Sequence, residues 1–155
     1  MHPFRTAWET RELHVLVDAF APDVVLRSPV VEEPFEGKET AARLYEVLFE
    51  EIKGLEFTDE FADGDRHVFF WRARIGGRPI EGMDRVLHGP DGKIAEITVM
   101  SRPLPATAAF ASAAGPSLAR DRGRLNAAAM RALAGPLPRL LALGERAASR
   151  LAKPR

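Results

Sequence analysis

The sequence contains no cysteine, no long apolar run and no glycine-rich phosphate loop. The absence of cysteine excludes disulfides, thiolate nucleophiles and cysteine-ligated metal centres. No segment approaches the roughly 18 consecutive apolar residues of a membrane span, and the N-terminal segment lacks the apolar core of a signal peptide. These absences favour a soluble, cytoplasmic protein, and nothing in the sequence indicates a cofactor.

Charge and composition divide the chain near residue 104. Residues 1–104 hold 20 acidic and 13 basic residues, a net charge of −7, whereas residues 105–155 hold 2 acidic and 9 basic residues, a net charge of +7. Alanine dominates the second segment, and Phe110 is its only aromatic residue. We predict a folded domain over residues 1–104 and an Ala/Arg-rich, helical extension over residues 105–155. The opposite charges favour docking of the extension onto its own domain or a neighbouring subunit.

Apolar periodicity and turn residues predict a helix, a strand, a second helix and then a run of strands. The first helix is expected over residues 3–20, and Pro22 and Asp23 are expected to end it. A short strand is expected over residues 24–26. The second helix is expected over residues 38–53, before Gly54. Short glycine-containing turns join the remaining strands and imply an antiparallel sheet, over residues 55–61, 67–75, 78–88 and 93–102.

The extension predicts two further helices, over residues 118–134 and 140–152. The second is amphipathic and basic, so packing against the acidic domain or a partner subunit, a mobile tail, and contact of residues 139–153 with a membrane or nucleic acid are all alternatives. The missing aromatic residues disfavour the membrane and nucleic-acid interpretations. We therefore expect packing against protein, and no nucleic-acid partner.

Four short blocks carry a resemblance to a known family: Phe20-Ala-Pro-Asp-Val-Val-Leu-Arg-Ser-Pro29, Phe35-Glu-Gly-Lys38, Gly82-Met-Asp-Arg-Val86 and Asp91-Gly-Lys-Ile94. Over about residues 3–104 the chain resembles the nuclear transport factor 2-like superfamily, particularly its SnoaL-like polyketide cyclase and ketosteroid isomerase-like branches. The resemblance implies an α+β fold in which a cone-shaped, curved antiparallel sheet wraps around N-terminal helices. It also implies an apolar pocket for a small ligand and commonly a homodimer formed through the outer face of the sheet.

The resemblance leaves the reaction open, because one fold hosts many activities. In isomerase-like members a catalytic base works with an oxyanion hole made of a tyrosine and an aspartic acid. The base would fall on Ser28, the tyrosine near Phe4 and the aspartic acid on Asp84. Only the last is retained, and a serine hydroxyl is a poor proton acceptor at neutral pH. The Asp–Arg–Asp set of epoxide hydrolases is lost entirely, since its positions fall near Trp71, Ala73 and Val99.

Asp84 is the predicted catalytic residue. Strand alternation places Gly82, Asp84 and Val86 on one face, and the family register turns that face toward the cavity. Burial there would raise the pKa of the carboxyl group and make it an acid or hydrogen-bond donor. The alternatives are an ion pair of Asp84 with an arginine such as Arg72 or Arg102, and a position that caps the cavity at a solvated rim. Predicted ligand-binding residues are Ser28, Tyr45, Phe69, Trp71, Val86 and Val99.

Each ligand-binding candidate also has a simpler structural explanation. Phe69 and Trp71 could be core residues, Tyr45 could pack with its hydroxyl at the surface, and the Ser28-Pro29 pair could simply end a strand. The four histidines, His2, His14, His67 and His88, are scattered along the sequence, so no metal site is predicted. Two functions remain: a cyclase or isomerase acting through Asp84, and a non-catalytic ligand-binding or assembly domain.

Overall fold

The computed structural model describes residues 1–120 and 124–152. The elements within these ranges follow one another in the order α1 (Pro3–Thr10), α2 (Leu13–Ala19), β1 (Phe20–Arg27), β2 (Phe35–Glu36), α3 (Lys38–Glu51), β3 (Lys53–Asp63), β4 (Arg66–Ile75), β5 (Arg78–His88), β6 (Ile94–Arg102), α4 (Leu104–Arg120), α5 (Arg124–Ala134) and α6 (Leu137–Ala152). The predicted α+β class is confirmed, with helices before and after one curved sheet.

All six strands belong to one sheet, in the order β2-β1-β6-β5-β4-β3. Neighbouring strands are antiparallel except β1 and β6, which run parallel. The two hairpins β3–β4 and β4–β5 are closed by short turns in which Gly64, Gly76 and Gly77 adopt positive φ angles. Glycine adopts this backbone conformation without the steric cost that a Cβ atom brings, which explains why the chain reverses at these points.

The concave face of the sheet packs against α1, α3 and α4, and α2 packs against α1 and α3. On β4, every second residue from Phe69 to Ile75 is buried, as the alternation of the sequence predicts. Aromatic side chains from the helices complete the core: Phe4 and Tyr45 are each 1% exposed and lie edge to face, with ring centroids 6.3 Å apart. Burial of one such large side chain contributes roughly 1.5–3 kcal/mol to the free energy of unfolding.

The predicted single helix over residues 3–20 is wrong in two respects. It is interrupted at Arg11, which has a left-handed conformation with φ 61° and caps α1 by donating its backbone N–H to the Ala7 carbonyl. It also ends earlier, because Phe20 is already extended and begins β1. Pro22 lies inside that strand, within an irregular stretch between Phe20 and Val25 where pairing with β6 is interrupted. A residue without an N–H group is tolerated there because the regular ladder is already broken.

The described residues of the C-terminal extension form three helices rather than the two predicted. Its first helix, α4, begins at Leu104 and contributes Ala106 and Ala109 to the same hydrophobic core as the sheet. The second and third helices meet at Gly135 and Pro136, close to the predicted break. The division of the chain at residue 104 stays a prediction.

The two last helices, α5 and α6, carry exposed leucines, among them Leu125 and Leu140. In the described ranges, 1–120 and 124–152, no helix has the length and apolar character that crossing a membrane requires. Of the segment 139–153 considered above for membrane contact, Lys153 lies outside the described residues.

Candidate active site

An apolar cavity lies between the helices and the concave face of the sheet. It offers about 50 Å³ to the centre of a water molecule, several times the ~10–15 Å³ that one water requires. Its wall is mainly hydrophobic, and its polar residues are Ser28, Tyr45, Trp71, Asp84 and Ser101. In the composition of its wall, apolar with a few convergent polar groups, the cavity resembles small-molecule sites.

Asp84 projects from the middle of β5 into this cavity and is 5% exposed. Its carboxyl oxygen Oδ2 accepts a hydrogen bond of 2.6 Å from the indole Nε1–H of Trp71 on the neighbouring strand. The predicted alternative of an ion pair is wrong, because Arg72 pairs with Glu56 and Arg102 pairs with Glu81. A neutral donor therefore orients the carboxyl group, and neither arginine compensates its charge.

Burial raises the pKa of Asp84 from 3.8 to about 7, and the hydrogen bond from Trp71 lowers it only in part. Desolvation dominates because an ionised carboxylate loses its hydration inside an apolar wall. Near neutral pH, therefore, the group is divided between its protonated and ionised forms. A carboxyl group with such a pKa can donate a proton and accept one at the same pH.

Tyr45 on α3 is the second titratable residue of the cavity wall. It is 1% exposed, so the expectation of a hydroxyl at the protein surface is wrong. Burial, and then the negative charge of Asp84, raise the pKa of the phenol well above 10.0. The phenol is therefore neutral under ordinary conditions, and it can donate a hydrogen bond to a bound molecule.

The structure brings most of the predicted site residues together around the cavity. Ser28, Tyr45, Trp71, Asp84 and Val99 all contribute to its wall, whereas Phe69 and Val86, two of the six predicted ligand-binding residues, do not. Both of the latter are 0% exposed, which makes them core residues. They share the correct face of the sheet, but they lie nearer the opposite end of β4 and β5.

Other cavity residues were not singled out from the sequence as ligand contacts. Phe4 and Trp8 reach the cavity from α1, and Phe110 reaches it from α4. Ser101 shares the inward face of β6 with Val99, so alternation alone could have identified it. Its hydroxyl lies 2.8 Å from the hydroxyl of Thr107, which ties β6 to α4. The signal for Phe110 was present too, as the lone aromatic residue of an alanine-rich segment.

The inference that histidines scattered along the sequence do not gather three metal-ligating side chains is wrong. The side chains of His2, His67 and His88 meet at the end of the concave face remote from the cavity, and their nearest nitrogen atoms lie within 4.8 Å of one another. Sequence spacing could not reveal this cluster, because its members lie on the N-cap of α1 and on two strands. The fourth histidine, His14, is separate and exposed.

Comparison with family models matches residues 2–97 to the SnoaL-like domain. The comparison with curated proteins found no significant match. Among solved structures, the chain is similar to a steroid delta-isomerase from Pseudomonas aeruginosa, with a TM-score of 0.71 and 27% sequence identity over 76% of this chain and 88% of that one.

Two further similarities concern the fold alone. A protein with a cystatin-like fold from Silicibacter pomeroyi superposes with a TM-score of 0.72 at 15% identity, covering 77% of this chain and 87% of that chain. A putative polyketide cyclase from Sinorhizobium meliloti superposes with a TM-score of 0.53 at 20% identity, covering 63% of this chain and 90% of that chain.

Proposed function

The chain belongs to the SnoaL-like domain family, and from that premise we propose that its cavity binds a small, largely apolar carbonyl compound and catalyses a proton transfer of the isomerase or cyclase type. The observation that supports this most is the buried Asp84 carboxyl, held by the neutral indole of Trp71. In the proposed reaction the ionised form of Asp84 accepts a proton from the substrate, and the protonated form then acts as the acid that returns it.

The apolar wall suits such a substrate: the neutral Tyr45 phenol would donate a hydrogen bond to its carbonyl oxygen while the ionised form of Asp84 takes a proton from the adjacent carbon. Asp84 and Tyr45 both line the cavity, and they lie close enough for the negative charge of ionised Asp84 to raise the pKa of the phenol. Hydrogen bonds to a carbonyl oxygen strengthen as negative charge develops on it during enolisation. In a water-poor enclosure this differential effect lowers the barrier to proton transfer at the adjacent carbon.

Among the described residues, Asp84 is the only one that brings a carboxyl group to the cavity wall. A two-carboxylate mechanism, with a separate base and a separate acid, therefore lacks its second member there, because Ser28 occupies the predicted base position. One residue with a pKa of about 7 can serve both halves of a proton shuttle, by removing a proton in its ionised form and returning it afterwards. The same observation favours a second candidate, a non-catalytic binding domain in which Asp84 and Tyr45 only hold the ligand.

The direct test uses cyclohex-2-enone in D₂O, with deuterium incorporation at the carbons activated by the carbonyl followed by NMR. We expect the protein to accelerate the exchange and Asp84→Asn to reduce that acceleration roughly 10²–10⁴-fold, the usual contribution of general acid–base catalysis. Tyr45→Phe should cost about tenfold, the worth of one hydrogen bond. The matched control is Asp59→Asn, an exposed aspartate on β3, which should leave the rate unchanged.

Binding is measured separately through intrinsic fluorescence, since both tryptophans, Trp8 and Trp71, line the cavity. A saturable change on adding cyclohex-2-enone without any exchange would support the binding domain and contradict catalysis. No change and no exchange, with this enone or with phenol as an enol mimic, would contradict both functions. Equal exchange by the parent protein and Asp84→Asn would remove Asp84 from the mechanism.

We also propose a homodimer formed through the convex face of the sheet. The register places Phe70 opposite Met83, and Met83 opposite Met100, so one apolar row crosses three strands on that face. Phe70 is 38% and Met100 is 55% exposed. Covering such a row with a second copy would remove its apolar surface from water. In sedimentation experiments the parent protein should be a dimer, and Met100→Glu should shift it toward monomer. A parent protein that sediments as a monomer would contradict the proposed dimer.

A further inference from the structure

We propose that His2, His67 and His88 form a binding site for one divalent transition-metal ion, best suited to Zn²⁺. Three imidazoles with a water molecule as fourth ligand are an established tetrahedral donor set for zinc. The shortest separation, between Nε2 of His2 and Nε2 of His88, is 3.0 Å, and all three donor atoms lie within 4.8 Å of one another. Nitrogen ligands about 2.0–2.1 Å from zinc are roughly 3.3 Å apart in a tetrahedron, so small side-chain rotations suffice.

The fold explains why these histidines meet. On β4, His67 shares the inward face with Phe69 and Trp71, and on β5, His88 shares it with Asp84 and Val86. Because His67 pairs with Val86 across the two strands, His88 lies one diagonal step away. The helix α1 then places its N-cap residue His2 over both rings, with ring centroids 4.4 Å and 4.9 Å away.

The hydrogen bonds of His88 fit metal ligation. Its Nδ1 lies 3.2 Å from the backbone carbonyl of Asp65, which can only accept, so Nδ1 carries the proton. The free lone pair is consequently on Nε2, the atom that faces His2. A ligating imidazole usually donates its other N–H to a carbonyl or carboxylate in this way, which fixes its tautomer and orientation.

His67 and His2 supply two further observations. The Nδ1 atom of His67 is buried and has no hydrogen-bond partner among the described residues, and a cation that takes its lone pair would remove the cost of that burial. The Nδ1 atom of His2 accepts a hydrogen bond from the Phe4 backbone N–H at 3.1 Å. A neutral imidazole that gives its Nε2 lone pair to a metal must carry its proton on Nδ1, so metal binding would replace this cap.

The charges around the cluster suit neutral imidazoles. Burial first, then the other two histidines and the Met1 amino group, lower the pKa of His2 to about 4. Burial and then His88 lower the pKa of His67, whereas Glu60 raises it. Glu60 is itself paired with Arg5 at 3.2 Å. Neutral imidazole is the form that binds metal, and little proton competition remains above about pH 6.5, the ordinary pKa of the group.

The proposed ion would lie apart from the cavity. Phe69 separates the two regions, with its ring 5.0 Å from His2 on one side and stacked 5.2 Å from Phe4 on the other. Phe4 in turn belongs to the cavity wall. The ion would therefore join the start of α1 to β4 and β5, and so hold the helix that carries Phe4 and Trp8, without touching a bound carbonyl compound.

The test titrates Zn²⁺ into the full chain, prepared without a polyhistidine tag, against a chromophoric chelator at about pH 7.5, where imidazole is neutral. We expect one ion per chain, a higher melting temperature with zinc, and the visible absorption of tetrahedral Co²⁺ when cobalt replaces zinc. His67→Gln and His88→Gln should each weaken binding at least about 100-fold, since even outer contacts to metal ligands are worth 10–100-fold. His14→Gln, which changes the exposed and separate histidine, is the matched control.

Two further measurements make the experiment decisive even where one variant folds poorly. His2→Gln changes the one histidine of the cluster that lies outside the sheet, at the N-cap of α1. It should also abolish the zinc-dependent rise in melting temperature. In the parent protein, zinc should shift the Phe4 amide resonance, because the cap donated to His2 is replaced. No stoichiometric binding, or binding that survives His67→Gln and His88→Gln, or equal loss in His14→Gln, would overturn the site.

Discussion

At the two ends of the concave face, the pKa values of ionisable groups are shifted in opposite directions. At the cavity end, Asp84 retains a proton that a carboxyl group in water would release, because burial raises its pKa to about 7. At the other end, His2 stays neutral near pH 6, where an imidazole in water would bind a proton. Burial and the neighbouring histidines lower its pKa to about 4. One cause, desolvation of the charged form, produces both effects.

The difference lies in the neighbours. Asp84 has one strong, neutral partner in Trp71, and its pocket is otherwise mainly apolar. The three histidines lie against one another, and His67 keeps a buried nitrogen without a partner in the described part of the chain. The cavity end is therefore suited to exchange protons near neutral pH, while the histidine end is suited to offer lone pairs. The same curved sheet thus carries two groups of ionisable side chains with different chemistry, and the ring of Phe69 lies between them.

The largest expected effect is the pH dependence of stability that Asp84 contributes. The folded protein keeps this proton up to about pH 7, whereas the unfolded chain loses it near 3.8. The contribution of Asp84 to stability is therefore fully present below about pH 4 and is lost as pH rises through 7, at about 1.4 kcal/mol per pH unit. Urea unfolding of the parent and Asp84→Asn at several pH values should show the variant gaining relative stability across this window.

The control for that series is Asp59→Asn on the exposed side of β3, whose stability should follow the parent at every pH. Parallel curves for the parent and Asp84→Asn would mean that Asp84 titrates alike in the folded and unfolded chains. That result would contradict the raised pKa of Asp84 in the cavity.

A second prediction concerns Gly82, which lies beside Trp71, the hydrogen-bond partner of Asp84. A Cβ atom at Gly82 would lie 2.4 Å from the Met100 carbonyl oxygen and 2.5 Å from the Trp71 ring. Gly82→Ala should therefore lower the free energy of unfolding by about 1–3 kcal/mol, the usual cost of overpacking, and displace the indole that donates to Asp84. Chemical denaturation measures the loss, and near-ultraviolet circular dichroism reports the environment of Trp71.

The matched control places an alanine where nothing obstructs it. Gly144 lies on α6, and a Cβ atom added there would meet no heavy atom of the described residues within 4 Å. Gly144→Ala should therefore be neutral or stabilising by up to about 1 kcal/mol through helix propensity. Equal stability of Gly82→Ala and the parent would show that the strand backbone relaxes without cost.

The smallest expected effect belongs to the histidine end, because water around the half-buried ring of His2 weakens its interactions, and this effect has the opposite sign. The lowered pKa of His2 means that the unfolded chain binds more protons between about pH 4 and 6.5, so His2 reduces stability as pH falls through that window. The effect is measured in an Asp84→Asn background, where the opposing contribution is absent. There His2→Gln should flatten the loss of stability in acid, whereas His14→Gln should not.

Most of the fold could be predicted from the sequence because strand alternation is a local property. The inward set Phe69, Trp71, Ala73 and Ile75, and the placement of Asp84 in the same face, follow from counting residues in twos. The interruption at Arg11 could not be predicted, since Glu9-Thr10-Arg11-Glu12 contains neither glycine nor proline. The early start of β1 was hidden by Pro22, which normally argues against a strand interior.

The candidate site was predictable for its strand residues and less so for contacts between distant elements. Asp84, Trp71 and Val99 lie on neighbouring strands whose register the short turns almost determine. The indole–carboxyl hydrogen bond and the histidine cluster depend on how side chains and elements far apart in sequence are packed. His2 and His88, for example, are 86 residues apart and meet only because α1 crosses the end of the sheet. Spacing along one element carries no information about such a contact.

We infer that Asp84 is a buried carboxyl group that is partly protonated near neutral pH inside the cavity. A ¹³C NMR titration of the aspartate side-chain carboxyls, with the Asp84 signal assigned by its loss in Asp84→Asn, tests this directly. We expect a midpoint at about pH 7. A midpoint near the ordinary value of 3.8 would show that the carboxylate is ionised and solvated, and would contradict the proposed acid.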